Sequence, residues 1–136
     1  MSKTTATMAM FDTVTGSNEG TEIELTTTSG DPSGVKIRIL GPDSDEAMKA
    51  DRVAGQRHVK LVQKGNSDRI NPITDSIAKA VAVTVNWSGM PGEGGKERPF
   101  SKAEAEAVYT NYPGIRREVL RELDDMKNFT KALAAI

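Results

Sequence analysis

The sequence predicts an α+β fold. An antiparallel β-hairpin or small sheet, with strands near residues 21–26 and 34–40, precedes a mainly α-helical half with helices near 44–64, 72–87, 102–111 and 113–134. Three observations carry this. Two short N-terminal segments alternate polar and apolar residues, the period of a half-buried strand. Beyond residue 42 the apolar residues recur every three or four positions. Helix-start residues stand at the head of each such run: Asp43-Ser44, Asn71-Pro72, Ser101 and Pro113. The length of 136 residues suits one domain, with 1–42 as its strand-rich part and 43–136 as its helical part. A chain of this size buries roughly two thirds of its unfolded surface. Aromatic content is only 4%, so the core must draw on Val, Ile, Leu, Met and Ala.

Residues 1–7 are polar, and Met8 to Val14 reads as a first strand. Glu22-Ile23-Glu24-Leu25 and Val35-Lys36-Ile37-Arg38-Ile39 flank the turn-rich segment Thr27 to Gly34. Folding back about Gly30 sets Leu25 opposite Val35, Ile23 opposite Ile37, Glu24 opposite Lys36 and Glu22 opposite Arg38. Every apolar residue then meets an apolar one and every acid a base. A one-residue slip would set charges against apolar groups. Each exposed acid–base pair contributes about 0.2–1 kcal/mol, so the charges select the register more than they stabilise it.

Leu40-Gly41-Pro42 ends the second strand. Asp43 then reads as a helix cap with Glu46 as its reciprocal partner, and the acids suit the positive end of a helix that runs to Lys64 and stops at Gly65-Asn66. Its apolar stripe is Ala47, Ala50, Ala54, Leu61 and Val62, with Met48, Val53 and Val59 off it. Such a helix either lies on the hairpin or projects into solvent. Asn71 caps the next helix, with Pro72 at its first position. Ile73, Ile77, Ala80, Val81 and Val85 follow at helical spacing, while Val81, Val83, Val85 and Trp87 also alternate as a strand does. The cap and the length favour a helix over the whole of 72–87, apolar on several sides and therefore central. Ser88 to Arg98 carries four glycines and a proline and reads as a flexible loop. Phe100-Ser101-Lys102-Ala103-Glu104-Ala105 has the form of a capping box, with Phe100 stapling onto Ala105. Ile115, Val119, Leu123 and Met126 then form a stripe continued by Phe129 or Thr130, Leu133 and Ile136. Arg116, Arg117, Glu118, Arg121 and their acidic neighbours take the solvated face.

Composition excludes several function classes. With no cysteine there are no disulfides, thiol chemistry or thiolate metal sites, and the lone His58 excludes a multi-histidine metal site. A net charge of −1 gives no basic excess for nucleic acid, although Lys49, Arg52, Arg57, Lys60 and Lys64 bias one helix mildly positive. No apolar run approaches the ~20 residues that span a bilayer, and the first ten residues lack a signal-peptide core. These features read as a soluble intracellular chain. Gly92, Gly94, Gly95 and Lys96 lack the spacing of a phosphate loop. Asp124-Asp125 and Asp43/Asp45/Glu46 match no calcium loop. His58, between Arg57 and Val59, reads as a packed or surface histidine. No catalytic residue, metal ligand or cofactor-binding residue is assigned, and the chain is not expected to be an enzyme. Six methionines supply either adaptable surface or filling for an aromatic-poor core, and the second reading is preferred.

Five of the aromatic residues, Trp87, Phe100, Tyr109, Tyr112 and Phe129, fall in one C-terminal run. Each segment of it has a structural duty: capping, stapling, starting a helix or anchoring the core. The pattern Asp43-Ser44, Trp87, Pro99-Phe100-Ser101, Tyr109, Tyr112-Pro113-Gly114-Ile115-Arg116 and Phe129, over residues 35–130, resembles the tail assembly chaperones of long-tailed bacteriophages. The first 30 residues depart from it. The resemblance implies a protein of the host cell cytoplasm that binds the tape-measure protein, keeps it soluble and helps recruit tail-tube protein, with homo-oligomerisation left open. It implies neither nucleic-acid nor membrane binding. The alternative is a structural virion protein, a minor tail or head–tail connector component.

Overall fold

The computed structural model describes residues 5–130. A 3-10 turn at Met8–Phe11 leads into α1 (Val14–Glu19). The expected strand over Met8 to Val14 is therefore corrected to helical turns. Asp12 explains the change: its carboxylate accepts from the backbone N–H groups of Val14 and Thr15 and from the Thr15 hydroxyl. An acid that satisfies the first free amides of a helix nucleates a helix there rather than a strand.

Three strands form one antiparallel sheet in the order β1 (Thr21–Thr26), β2 (Pro32–Ile39), β3 (Thr84–Ser88). The α+β class holds, with the helical part following the hairpin. The hairpin register is the expected one for Glu22–Arg38, Ile23–Ile37 and Glu24–Lys36. The fourth pair, Leu25 with Val35, falls instead in an irregularity. There the Ser33 hydroxyl donates to the Leu25 carbonyl at 2.6 Å and the Gly34 N–H to the Glu24 carboxylate, with Gly34 at φ +81°. Leu25 and Val35 still bury on the same face.

The third strand corrects the long helix expected over 72–87. Helix α3 (Pro72–Val83) ends at Val83 and the chain enters β3 without a connecting residue. Trp87 pairs with Ile37 and Arg38 with Asn86, but Ile39 pairs with Thr84, so Val85 is an extra residue in a bulge. The bulge turns Val85 outward while Thr84 and Trp87 both face inward. A clean alternation is thereby broken, which is why neither a pure helix nor a pure strand period fits this stretch.

The inner face of the sheet, Ile23, Leu25, Val35, Ile37, Ile39 and Trp87, packs beneath α3, α4 (Lys102–Asn111) and α5 (Pro113–Leu123). Trp87 meets Phe100 edge-on at 5.1 Å, and its indole N–H donates to the Arg98 carbonyl at 2.8 Å. Ser101 caps α4 by accepting from the Glu104 N–H, but Glu104 does not reach back as a capping box requires; its carboxylate pairs with Arg98 at 2.9 Å. The loop from Ser88 to Arg98 is closed on itself through a Pro91–Glu97 bridge.

Helix α2 (Asp45–Gln63) is capped by Ser44, not Asp43: the Ser44 hydroxyl accepts from the Ala47 N–H, while Asp43 accepts from the Thr13 hydroxyl. It ends as expected at Gly65 (φ +71°), with the Asn66 N–H on Leu61 and the Gly65 N–H on Val62, a Schellman closure.

The helix expected over 113–134 is shorter. Helix α5 stops at Leu123, Asp125 caps a following 3-10 turn by accepting from Lys127, and the Asn128 amide donates to the carbonyl and carboxylate of Glu122. The break lets Phe129 turn inward while Met126 stays 64% exposed. Arg116 leaves the solvated face as well: it is buried, and its guanidinium donates to the Tyr109 carbonyl at 3.0 Å, near the negative end of α4. Leu133 and Ile136 lie outside the described residues.

Tyr109 is fully buried, and its hydroxyl lies 2.6 Å from that of Thr84. Thr84 spends its own proton on the Ala80 carbonyl at 2.7 Å, so Tyr109 is the donor. Burial pushes the phenol up to about 12. Its contribution to stability is thus fully present below the unfolded phenol value of about 10 and is lost as the pH rises through about 12. Tyr109→Phe is expected to cost about 1 kcal/mol at neutral pH and to flatten the alkaline fall in stability, measured by urea unfolding from pH 7 to pH 11.

Candidate functional site

Helix α2 lies against α3 through small and polar side chains. Of its 19 residues only Ala47 is fully buried, within a cluster completed by Val83 and Leu123. Ala50, Ala54, His58 and Leu61 are half-buried along the same stripe. His58 fills the step between Ala54 and Leu61 that the expected stripe left vacant, whereas Val62 is exposed. Its imidazole Nε2 lies 2.6 Å from Asp75 on α3, and the other oxygen of the same carboxylate accepts from Arg57 at 2.6 Å. One turn further along α3, Lys79 pairs with Asp51 at 3.2 Å. These polar contacts pin α2 to α3 where alanines bury too little area to hold it. The Arg57 guanidinium, first, and the His58 hydrogen bond hold the Asp75 carboxyl below the usual carboxylate range against the opposing effect of burial.

Helix α3 is central, as expected, yet it is not enclosed. Ala80 and Val83 face the core, but Ile73 is 57% exposed, and Thr74 and Ala78 are exposed as well. Two open grooves run along this uncovered side. The first, of about 390 Å³, lies between α2 and α3 and is floored by Ala50, Val53, Ala78 and Ala82, with Lys49, Arg57 and Lys102 at its rim. The second, of about 500 Å³, lies between α3 and α4 and includes Ile77, Val81, Glu106 and Thr110. Ala78 and Ala82 line both, so the two form one surface across the ridge of α3. A third depression, of about 280 Å³, extends the first along α2 through Val53 and Arg57 to Lys60, Leu61 and Lys64.

Lys102 stands where this surface meets the end of α3. Its ammonium donates to the carbonyls of Val81 at 2.8 Å and Thr84 at 2.7 Å and approaches that of Ala82 at 3.3 Å. A lysine so placed caps a helix C-terminus, and burial pulls its pKa down. Nothing in the sequence spacing connects residue 102 to residues 81–84.

The other sequence candidates are structural. Trp87, Tyr109 and Phe129 are buried, Phe100 is half-buried, and of the aromatic run only Tyr112 is exposed. Two of the loop's four glycine amides are spent internally, Gly92 on the Lys96 carbonyl and Gly89 on the Glu97 carboxylate. Asp125 caps, Asp43 takes the Thr13 hydroxyl, and among the described residues no three His, Asp or Glu converge as metal ligands would. The methionines depart from the expectation that they fill the core: Met90 alone is buried among those described, whereas Met8, Met48 and Met126 are exposed by more than half. Among the described residues no helix is long and apolar enough to cross a membrane. In comparison with known proteins, no family model, curated protein or solved structure matches the chain.

Deprotonated Asp75 is the form held in the fold. Its contribution to stability is present above the unfolded carboxylate value of about 3.9 and is lost as the pH falls through the lowered folded value. Asp75→Asn is expected to cost under about 1 kcal/mol at neutral pH, as half-exposed ion pairs do. It is also expected to remove part of the acid-induced fall in the urea midpoint between pH 5 and pH 2; superimposable midpoint curves for the two proteins would show that the pair contributes nothing.

Proposed function

We propose that this chain is a tail assembly chaperone of a long-tailed bacteriophage, which binds the tape-measure protein in the host cytoplasm, keeps it soluble and helps recruit tail-tube subunits. The observation that carries the reading is the continuous open surface across α2, α3 and α4, floored by Ala50, Val53, Ile77, Ala78, Val81 and Ala82. A holdase for a long helical client needs a shallow apolar groove that accepts helix after helix, and binding of that kind requires no reacting group. The residues that carry the family resemblance support the reading indirectly. Trp87, Phe100, Ser101, Tyr109 and Arg116 all hold α3, α4 and α5 in place beneath this surface, which is the duty a binding scaffold asks of them.

The test is co-expression with a tape-measure protein. The client is expected to stay several-fold more soluble with the wild-type chain than without it, and Ala78→Glu, at an exposed position on the shared ridge, is expected to abolish the gain without lowering the thermal midpoint. Equal insolubility with and without the wild-type chain overturns the reading. Purified virions separate it from a structural component: a chaperone is absent from them, a component is present at fixed copy number.

A further inference from the structure

The rim of the α2–α3 groove is charged on one side. Glu46, Lys49, Val53, Arg57, Lys60 and Lys64 lie on one face of α2 at successive three- and four-residue steps, and all six line the groove or its extension. Arg57 is engaged by Asp75 and Lys102 by the α3 carbonyls. Lys49, Lys60 and Lys64 are exposed, and among the described residues no acid pairs with them. Glu46 is the only acid lining this stretch. A groove with an apolar floor and a row of unpaired ammonium groups along one wall is complementary to a helix that is apolar on one face and acidic on the flank beside it. From Glu46 to Lys64 the wall is about 27 Å long, enough for roughly five helical turns.

We infer that this groove docks an acidic amphipathic helix of a partner protein, with the helix's apolar face on Ala50, Val53, Ala78 and Ala82 and its carboxylates along Lys49, Lys60 and Lys64. The inference deepens the chaperone reading by giving the chemistry of the segment bound, and it rests on that reading only for the identity of the partner. The outward stripe of α2, Met48, Val59 and Val62, is apolar and exposed, but Arg52 and Gly55 separate its two ends and the charges flanking it, Asp51 and Arg52, are of opposite sign and select no occupant.

Three synthetic twenty-residue peptides test this on the full chain by fluorescence anisotropy at low and high salt. One is a Leu/Glu peptide with helical periodicity, one its Leu/Lys counterpart, and one a scrambled Leu/Glu peptide of the same composition. The periodic acidic peptide is expected to bind at least ten-fold more tightly than either other, and to weaken as salt screens the lysines. Val53→Asp is expected to abolish binding. Lys49→Glu, Lys60→Glu and Lys64→Glu together are expected to reverse the preference toward the basic peptide, with helix content unchanged by circular dichroism. Equal affinity for the scrambled or basic peptide, or no binding at all, overturns the inference. The same triple variant distinguishes the two proposals in co-expression. If it solubilises the tape-measure protein as well as wild type does, the charge inference fails and the chaperone reading stands. If the peptide preference holds while wild type leaves the client insoluble, the reverse is true.

Discussion

The architecture depends on the point where α3 becomes β3 with no residue between them. A helix that turns directly into a strand leaves its last carbonyls without the amides of a further turn. The Thr84 N–H closes on the Val81 carbonyl, the Leu40 N–H takes that of Val83 and the Thr84 hydroxyl that of Ala80, while Lys102 adds donors to Val81 and Thr84 from the first turn of α4. Tyr109 closes the arrangement from the next turn but one of α4 by donating to Thr84. One buried junction therefore sets three relations together: β3 beside β2, α3 across the sheet, and α4 against α3. At the buried part of the junction, where Thr84 and Tyr109 meet, an unsatisfied polar group would cost about 1–3 kcal/mol, which these contacts avoid.

That anchoring also explains the open groove. The C-terminal end of α3 is held on its core side by the burial of Ala80 and Val83 and by Tyr109 on Thr84, which leaves its outer side to Lys102 at the groove rim and to whatever α2 can cover. Helix α2 covers little, because the residues it presents to α3 are mostly alanines, and each alanine removes far less apolar area from water than a leucine would. The Asp75 and Asp51 ion pairs orient α2 without drawing it closer, and exposed pairs of this type contribute about 0–1 kcal/mol each. A leucine-rich stripe would have closed the gap and filled it. Small residues with polar pins hold the two helices side by side and keep the space along them accessible.

Much of this was legible in the residues themselves. The opposed Glu22/Arg38 and Glu24/Lys36 pairs admit one hairpin register, and Asn71-Pro72, Ser101 and Gly65 mark helix ends through local hydrogen bonding that needs no tertiary context. What was not legible depends on partners distant in sequence. Residues 84–88 become a strand because the free edge of β2 lies beside them, and the bulge at Val85 hides the alternation that would have announced it. The stripe after Leu123 continues smoothly through Met126, but Asp125 and Asn128 redirect the chain so that Phe129 reaches the core. Half of the candidate surface was visible, since Val53 and the basic bias of α2 stand in the sequence. The other wall was not: Ala78 and Ala82 look like core positions until the uncovered side of α3 is seen. His58 continues the stripe by the four-residue step after Ala54, although histidine is not an apolar residue.

Gly16 and Gly41 each lie so close to Phe129 that an added methyl would overlap it, Gly16 at its carbonyl oxygen and Gly41 at its ring. The contact with Gly16 closes a loop of more than a hundred residues. Loop-closure entropy rises only with the logarithm of length, yet contacts of such separation form after the local ones and slow the search for the native state. Residues near the two ends of the described chain are therefore packed directly on one another. Damage to α1 leaves Phe129 without its cover, and damage to the turn at Met126–Phe129 strips the glycine face of α1, so an injury in either segment registers structurally in the other.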